Sequence, residues 1–502
     1  MTTPNIPRRR SRLAVAGSNT PTRRRSPIIG AGEPSNFDLS AIEAAAEALL
    51  ADVGIACRLP ADAAATCAKG GLVVNAERVR FPMPLVMEHM AKAPDRFLHV
   101  SSTDARTLEV STSMAAFGPA LAAHHKWDGA TRCALSAIDA RLFAAIADDA
   151  GFEYGGSSLS LLTTDATHPL SGFIGTSNRP LIAPANLPFH ARDLISVACR
   201  GASKDAASCH LMMIGAVESA LTFDDVFIEA LLETAASAQG LIVAPTLLIG
   251  ANAPATVEGT LVRFATEAMA GIALAQALCP GQPVAVGATI ADVSMRNGLP
   301  LVGTANALAV LSGAITLARR WNVAFYALGP ATNAKGLDAL GTAETSRWLT
   351  SAYYLGANAI VGAIGAVDLD DGISVEKLIV DAEVAAVLGR PHAPLSDDPA
   401  AELRQSGAGG VFLGTTAARD AAHRQSSSRL AENSLYESWV AAGNPTINQA
   451  IAAIIAAATP PNWPSTVEHI AVAQMKRRPT NLADLASTLY SRSIRDAFGF
   501  GG

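Results

Sequence analysis

Three polar loops hold most of the side chains in this chain that could do chemistry. Asp292, Ser294, Arg296 and Asn297 follow one apolar run. Thr332, Asn333 and Lys335 follow a second, with Asp338 and Glu344 entering the helix beyond. Asp368, Asp370 and Asp371 follow a third. Each residue also has an ordinary structural use. Aspartate, asparagine, serine and threonine cap helices and shape turns, and Asp370–Asp371–Gly372 reads first as a turn. Lys335, in an Asn-Ala-Lys-Gly loop, reads equally as a solvated lysine. The commonest catalytic signatures are missing. There is no HExxH, no CxxC and no HxH, and His124–His125 are adjacent, so they point in different directions. No GxxxxGK[ST] or GxSxG occurs, and the glycines of Gly410–Thr416 lack the strand–helix context of a dinucleotide fingerprint. A quaternary amine, having no N–H, would need aromatic faces, each worth roughly 0.5–2 kcal/mol. Phe117, Trp127, Tyr154, Phe173 and Tyr326 are the candidates.

The elements that must position these loops are short, continuous apolar runs alternating with alanine-rich stretches of helical length. Such runs indicate parallel strands covered on both faces. The three that carry the loops are Pro283–Ile290, Val323–Gly329 and Asn358–Gly365. Phe152–Leu162, Gly172–Ser177, Cys209–Gly215 and Leu241–Ile249 precede them, and Gly409–Gly414 supplies an eighth. Intervening helices are expected at Ala137–Asp149, Phe189–Arg200, Asp224–Ala238 and Gly259–Leu278. The class is therefore α/β. Eight strands over this span predict a (β/α)8 TIM barrel, with an open doubly wound sheet as the alternative. Residues 1–36 read as a basic disordered arm and linker, 37–135 as an N-terminal α+β region, 136–430 as the barrel and 431–502 as a C-terminal helical extension. The early region opens on a helix at Phe37–Gly54, capped by Asp38 or Ser40. The extension holds helices at Ser434–Ala442, Thr446–Ala458 and Asn481–Phe498.

Half of the 502 residues are hydrophobic and 16% are charged, a composition that suits a closely packed enzyme. The net charge of −6 is uneven. The first 25 residues hold seven arginines and no acid, which leaves −13 on the rest once those positive charges are removed. Such an arm can bind nucleic acid, but a surface tail is the plainer reading. Six scattered cysteines without a CxxC or a secretory leader point to a reducing, cytoplasmic setting, and no apolar run has membrane-like flanks.

The order of several short motifs carries a resemblance. They are DVGI at Asp52–Ile55, RVRFP at Arg78–Pro82, FGP at Phe117–Pro119 and DVSMRNG at Asp292–Gly298. LARRWNV at Leu317–Val323, LGAN at Leu355–Asn358, SVEKLIVDAE at Ser374–Glu383, GAGGVFLGTTAA at Gly407–Ala418 and YESWVAAGN at Tyr436–Asn444 follow. Together they resemble the trimethylamine methyltransferase family, and the absence of pyrrolysine is similar to its betaine-demethylating branch. The resemblance implies a TIM barrel that takes a methyl group from a methylated amine, above all a quaternary one, or a betaine. The methyl would pass to the cobalt of a cobalamin-type corrinoid carried by a separate protein, with no metal or tightly bound cofactor in this chain. It implies catalytic roles for Lys335, Glu344 and Asp338, and a substrate site formed by Phe117, Tyr154, Asp292, Arg296, Asn333 and Tyr326. Arg296 or Lys335 would pair with a substrate carboxylate, and acidic groups would balance the ammonium. Ser294, Asn306, Asn333 and Leu340 depart from the family pattern by removing charge or hydrogen-bonding groups. A folate acceptor, or amine binding without turnover, are the alternatives. A homo-oligomer fits the family, whereas a membrane or nucleic-acid partner does not.

Overall fold

The computed structural model describes residues 37–458, apart from 103–105, 124, 129–130, 156–157, 160–177, 186–189, 200–207, 330, 390–397, 399, 425–427 and 431–433. Phe173, His124, the basic arm and the helix expected at Asn481–Phe498 fall outside the described residues.

Seven strands are parallel, β1 (Ala116–Pro119), β2 (Leu181–Pro184), β3 (Leu211–Val217), β4 (Gly240–Ile249), β5 (Val284–Val293), β6 (Phe325–Leu328) and β7 (Ala359–Ile364), and β2 to β7 lie side by side in that order. β7 then pairs in parallel with β1. Residues 153–155 form the eighth stave and close the ring. The Tyr154 N–H donates to Phe117 O at 3.1 Å on one side. On the other, Gly155 N–H donates to Pro180 O at 3.0 Å and Gly155 O accepts from Ile182 N–H at 3.2 Å. The α/β barrel is thus the fold that the alternation of the sequence predicts.

Two staves differ from expectation. Gly409–Gly414 is not a strand: it is turn and irregular chain, with Val411 79% and Leu413 86% exposed, so its apolar side chains meet no sheet. Its place in the ring is taken by β1, inside the segment read as part of the N-terminal region. β2 was not anticipated at Leu181–Pro184; the run expected at Gly172–Ser177 falls outside the described residues.

The strands are apolar throughout because side chains on alternate faces meet different layers. Inward, Ile182, Met212, Ile242, Ala285, Tyr326 and Val361 share one cluster. Outward, Leu181, Met213, Val243, Val286, Phe325 and Ile360 pack against helices. The hairpin Arg96–Val100 and Thr107–Ser111 plugs the lower end. Leu108 and Val110 enter the inner cluster, and Val100 N–H donates to Cys209 O at 2.7 Å, just before β3 begins. Within this plug His99 is fully buried, and burial pushes its imidazole down to about 3, so it is neutral.

The outer layer includes α1 (Leu39–Asp52), α2 (Ala137–Asp149), α3 (Ala191–Ala198), α4 (Asp225–Ala236), α5 (Val257–Leu278), α6 (Ala305–Arg320), α7 (Ala339–Leu355) and α8 (Val375–Leu388). Local signals start them: Asp38 caps α1, Ser136 caps α2, Asp224 caps α4, Thr304 caps α6, Asp338 caps α7 and Ser374 caps α8. By length and composition α5 could cross a membrane. Instead it is packed between the barrel and α1, with the buried Arg263–Glu267 pair (2.8 Å) on it. Tyr436–Ala441 and Ile447–Ala457 are helical, as the sequence predicts for the extension.

Candidate active site at the barrel mouth

Chemistry on this architecture belongs at the carboxyl ends of the strands. Registers define a row of inward-facing positions there. Val217 lies opposite Pro245, so Glu218 meets Thr246. Thr246 lies opposite Thr289, whose Oγ1 donates to Gly329 O at 3.0 Å at the end of β6. Below this row the inner face is sealed: Tyr154 and Tyr326 are buried and share a hydroxyl–hydroxyl hydrogen bond of 2.8 Å. At the row itself Ala216, Glu218, Thr246 and Thr289 keep partial exposure, which marks an open mouth above an apolar floor. Burial pushes the Glu218 carboxyl up to about 7, although Thr246 donates a hydrogen bond to it. Glu218 was missed in the sequence. The available signal was a lone carboxylate directly after an otherwise apolar strand.

Three loops close the β5–β7 side. Thr332 Oγ1 and Asn333 N–H both donate to Glu344 Oε2, at 2.6 and 3.0 Å, so the second turn of α7 fixes the loop after β6. Asn333 Nδ2 donates to Pro300 O at 2.8 Å and ties this loop to the one after β5. Asp368 N–H donates to Ala334 O at 2.7 Å and Leu369 N–H to Thr332 O at 3.1 Å, stitching on the loop after β7. That loop contains three successive left-handed residues, Asp368 (φ 53°), Leu369 (φ 59°) and Asp370 (φ 70°), a conformation disfavoured in side-chain-bearing residues. A small sheet holds it. Ala366–Val367 and Gly372–Ile373 pair with each other, and the latter pairs with His125–Asp128 of a hairpin completed by Thr131–Ala134. Asp371 accepts from Arg132, and His125 Nδ1 lies 3.3 Å from the same carboxylate.

The structure brings together Asp292, Asn333, Lys335, Glu344 and Asp338 on these loops. Lys335, 56% exposed, pairs with Asp368. Asp292 accepts from Thr304 Oγ1 and, at 3.4 Å, from Asn306 Nδ2. Asn306 and Asn333, two of the departures from the family pattern, therefore act as donors that lock loops, which a carboxylate could not do. Arg296 is exposed in the loop after β5, where Ser294 O accepts Gly298 N–H at 2.7 Å; Leu340 is exposed at the start of α7. Asp338 accepts Gly341 N–H at 2.7 Å as the cap of α7. We expect Asp338→Ala to lower stability by about 1 kcal/mol and Asp338→Ser to be nearly silent, checked by urea denaturation.

Among the described residues the expected aromatic faces do not line the mouth. Phe117 points outward and stacks on Tyr353 with centroids 6.1 Å apart, while Tyr154 and Tyr326 lie in the sealed core beneath the mouth. The cause is strand alternation, which turns Phe117 toward the helices and sinks the two tyrosines one layer below the rim. Trp127 packs over Gly372, where a Cβ would meet its ring at 2.5 Å. Among the described residues no three His, Cys, Asp or Glu side chains cluster as metal ligands.

A family model described as trimethylamine methyltransferase matches residues 8–150 and 168–482. The glycine betaine methyltransferase of Desulfitobacterium hafniense strain Y51 is 30% identical over 224 residues, covering 44% of this chain and 47% of that protein. The trimethylamine methyltransferase MttB of Methanosarcina barkeri is 28% identical over 200 residues, 39% of this chain and 40% of the relative. The match thus spans about half or less of these curated relatives. Among solved structures, the Methanosarcina barkeri monomethylamine methyltransferase MtmB is similar at 12% identity with a TM-score of 0.48, covering 71% of this chain and 75% of that one.

Proposed function

The chain belongs to the trimethylamine methyltransferase family, and from that premise we propose that it moves a methyl group from a methylated amine or betaine to the cobalt of a corrinoid protein. The observation that carries this is the family match across every stave of the barrel except the interval 151–167. Further support comes from the mouth, where Glu218, Thr246 and Thr289 form a polar row over an apolar floor. A methylated ammonium suits such a place: its methyl groups rest on apolar surface while a carboxylate offsets its charge. The corrinoid would supply a cobalt nucleophile that takes the methyl carbon from the side opposite the departing amine. This chain's part is to hold the amine low in the mouth with one methyl toward the opening, a matter of orientation rather than acid–base chemistry. Met295, Leu299, Leu301 and Leu340 are exposed around that opening and give a partner protein apolar surface to rest on. In this reading Lys335 or Arg296, both exposed, would meet a substrate carboxylate, and Glu344 and Asp338 would hold the loops around it.

The test is spectroscopic. Cob(I)alamin is mixed with the protein and glycine betaine, carnitine, proline betaine, choline or trimethylamine in turn. Conversion to methylcobalamin with one of them is the expected outcome. No conversion with any of them, even with a corrinoid protein supplied, would overturn the proposal.

A further inference from the structure

We propose that the carboxyl of Asp370 is the counter-charge for the cationic head of the substrate, with Asn333 Oδ1 as its uncharged companion on the adjoining loop. The proposal rests on the reading of the chain as a methylated-amine methyltransferase and assigns the part of the mouth that the ammonium occupies. Asp370 Oδ1 and Asn333 Oδ1 are both buried acceptors without a hydrogen-bond partner. Their loops are joined by the two backbone bonds at Thr332 and Ala334. The Asn333 amide nitrogen is used by Pro300 O, so the carbonyl oxygen is what that side chain has left to offer. Asp370 Oδ2 lies 2.9 Å from where a Cβ would stand on Gly329, so the glycine at the end of β6 makes room for the carboxyl. Left-handed residues of this kind cost roughly 1–3 kcal/mol each and gather where the surroundings hold them for a purpose. Each of these loops thus keeps one buried oxygen unmatched, and the ionised form of Asp370 matches a ligand that brings positive charge.

The charged groups around Asp370 are already matched to others. Lys377 of α8 binds Asp381 at 2.5 Å and Thr345 at 2.7 Å. Lys335 pairs with Asp368, Arg132 and His125 sit on Asp371, and Glu344 is bound by Thr332 and Asn333. Burial therefore dominates over the attraction of Lys377 and pushes the Asp370 carboxyl up to about 8. Without a cation beside it, Asp370 is then mostly a neutral acid at pH 7. A bound quaternary ammonium favours the carboxylate, so the acid proton leaves to solvent and the cation and carboxylate remain as a pair. Affinity for the cation then rises with pH through about 8.

The experiment is calorimetric titration of the full chain at pH 7 and pH 9, in two buffers of different ionisation heat. The probes are tetramethylammonium, glycine betaine and 3,3-dimethylbutanoate, the uncharged-head isostere of glycine betaine. The expected result is cation binding about tenfold tighter at pH 9, with close to one proton released at pH 7 and no gain for the isostere. Asp370→Asn is expected to lose the pH gain and to bind both cations at least about tenfold more weakly than wild type at pH 9. Proton release by the wild-type protein needs no variant. Cation binding without proton release, or a pH gain that survives in Asp370→Asn, overturns the assignment. If methyl transfer to cob(I)alamin is seen alongside pH-independent binding, only the Asp370 assignment fails. If no ammonium binds and no methyl moves, the methyltransferase reading fails with it.

Discussion

A Lys377→Met variant is expected to lose about 3–5 kcal/mol of stability at neutral pH, the cost of leaving a buried carboxylate without its partner. Lys377 and Asp381 are both fully buried, 2.5 Å apart, and the lysine also donates to Thr345 Oγ1 at 2.7 Å. Asp381 in turn accepts Gly365 N–H at 2.9 Å, which fixes the glycine that ends β7. The lysine thus joins α8, α7 and the last stave just below the site loops. Burial already raises the Asp381 carboxyl above its ordinary value, with Lys377 opposing that shift. Removing the lysine raises it further. A carboxyl whose folded-state pKa is raised contributes stability that is complete below its unfolded pKa and is lost as pH rises. The deficit of Lys377→Met should therefore shrink as pH falls toward the ordinary carboxylate range. Urea denaturation from pH 4 to pH 8 checks this. A Lys377→Met/Asp381→Leu double variant should recover most of the loss, because a well-packed apolar pair removes both buried charges.

The second large effect is expected at Glu344, and on activity. Its Oε2 receives both Thr332 Oγ1 and Asn333 N–H, so the carboxylate sets the position of the loop that carries Asn333 and Lys335. In the proposed reaction Glu344 would then act by positioning that loop. Glu344→Ala should cut the turnover of methyl transfer by about 100-fold, the scale expected when a site group shifts by about 1 Å. Glu344→Gln keeps an oxygen that can accept both bonds and should lose less than about tenfold. A direct chemical role would instead make Gln as damaging as Ala. Comparing kcat and KM for the two variants separates these outcomes.

Much of the scaffold was legible because its determinants are local. Asp38, Asp224, Asp338 and Ser374 announce helix starts within a few residues, and β3 to β7 are apolar runs of strand length. What escaped depends on ring closure. Ala116–Pro119 has only four residues, including a glycine and a proline, and becomes a stave only because β7 and residues 153–155 flank it. Gly409–Gly414 has the look of a strand, but nothing pairs with it among the described residues. In the site, the loops at Asp292, Asn333 and Asp368 fell where alternating strands and helices must put them. The direction of Phe117 and the depth of Tyr154 and Tyr326 were not legible, because inward or outward direction, and height in the barrel, follow from register with neighbouring strands. Glu218 and Asp370 stand out through burial, which residue type does not disclose.

The most direct test of methyl transfer at this mouth follows the methyl group itself. Glycine betaine carrying deuterated N-methyl groups is incubated with the protein and a stoichiometric cob(I)alamin-loaded corrinoid protein, and both products are read by mass spectrometry. The account predicts one trideuteromethyl group on cobalt for each dimethylglycine formed, with both signals strongly reduced in Glu344→Ala. Dimethylglycine formed without label on cobalt would contradict it.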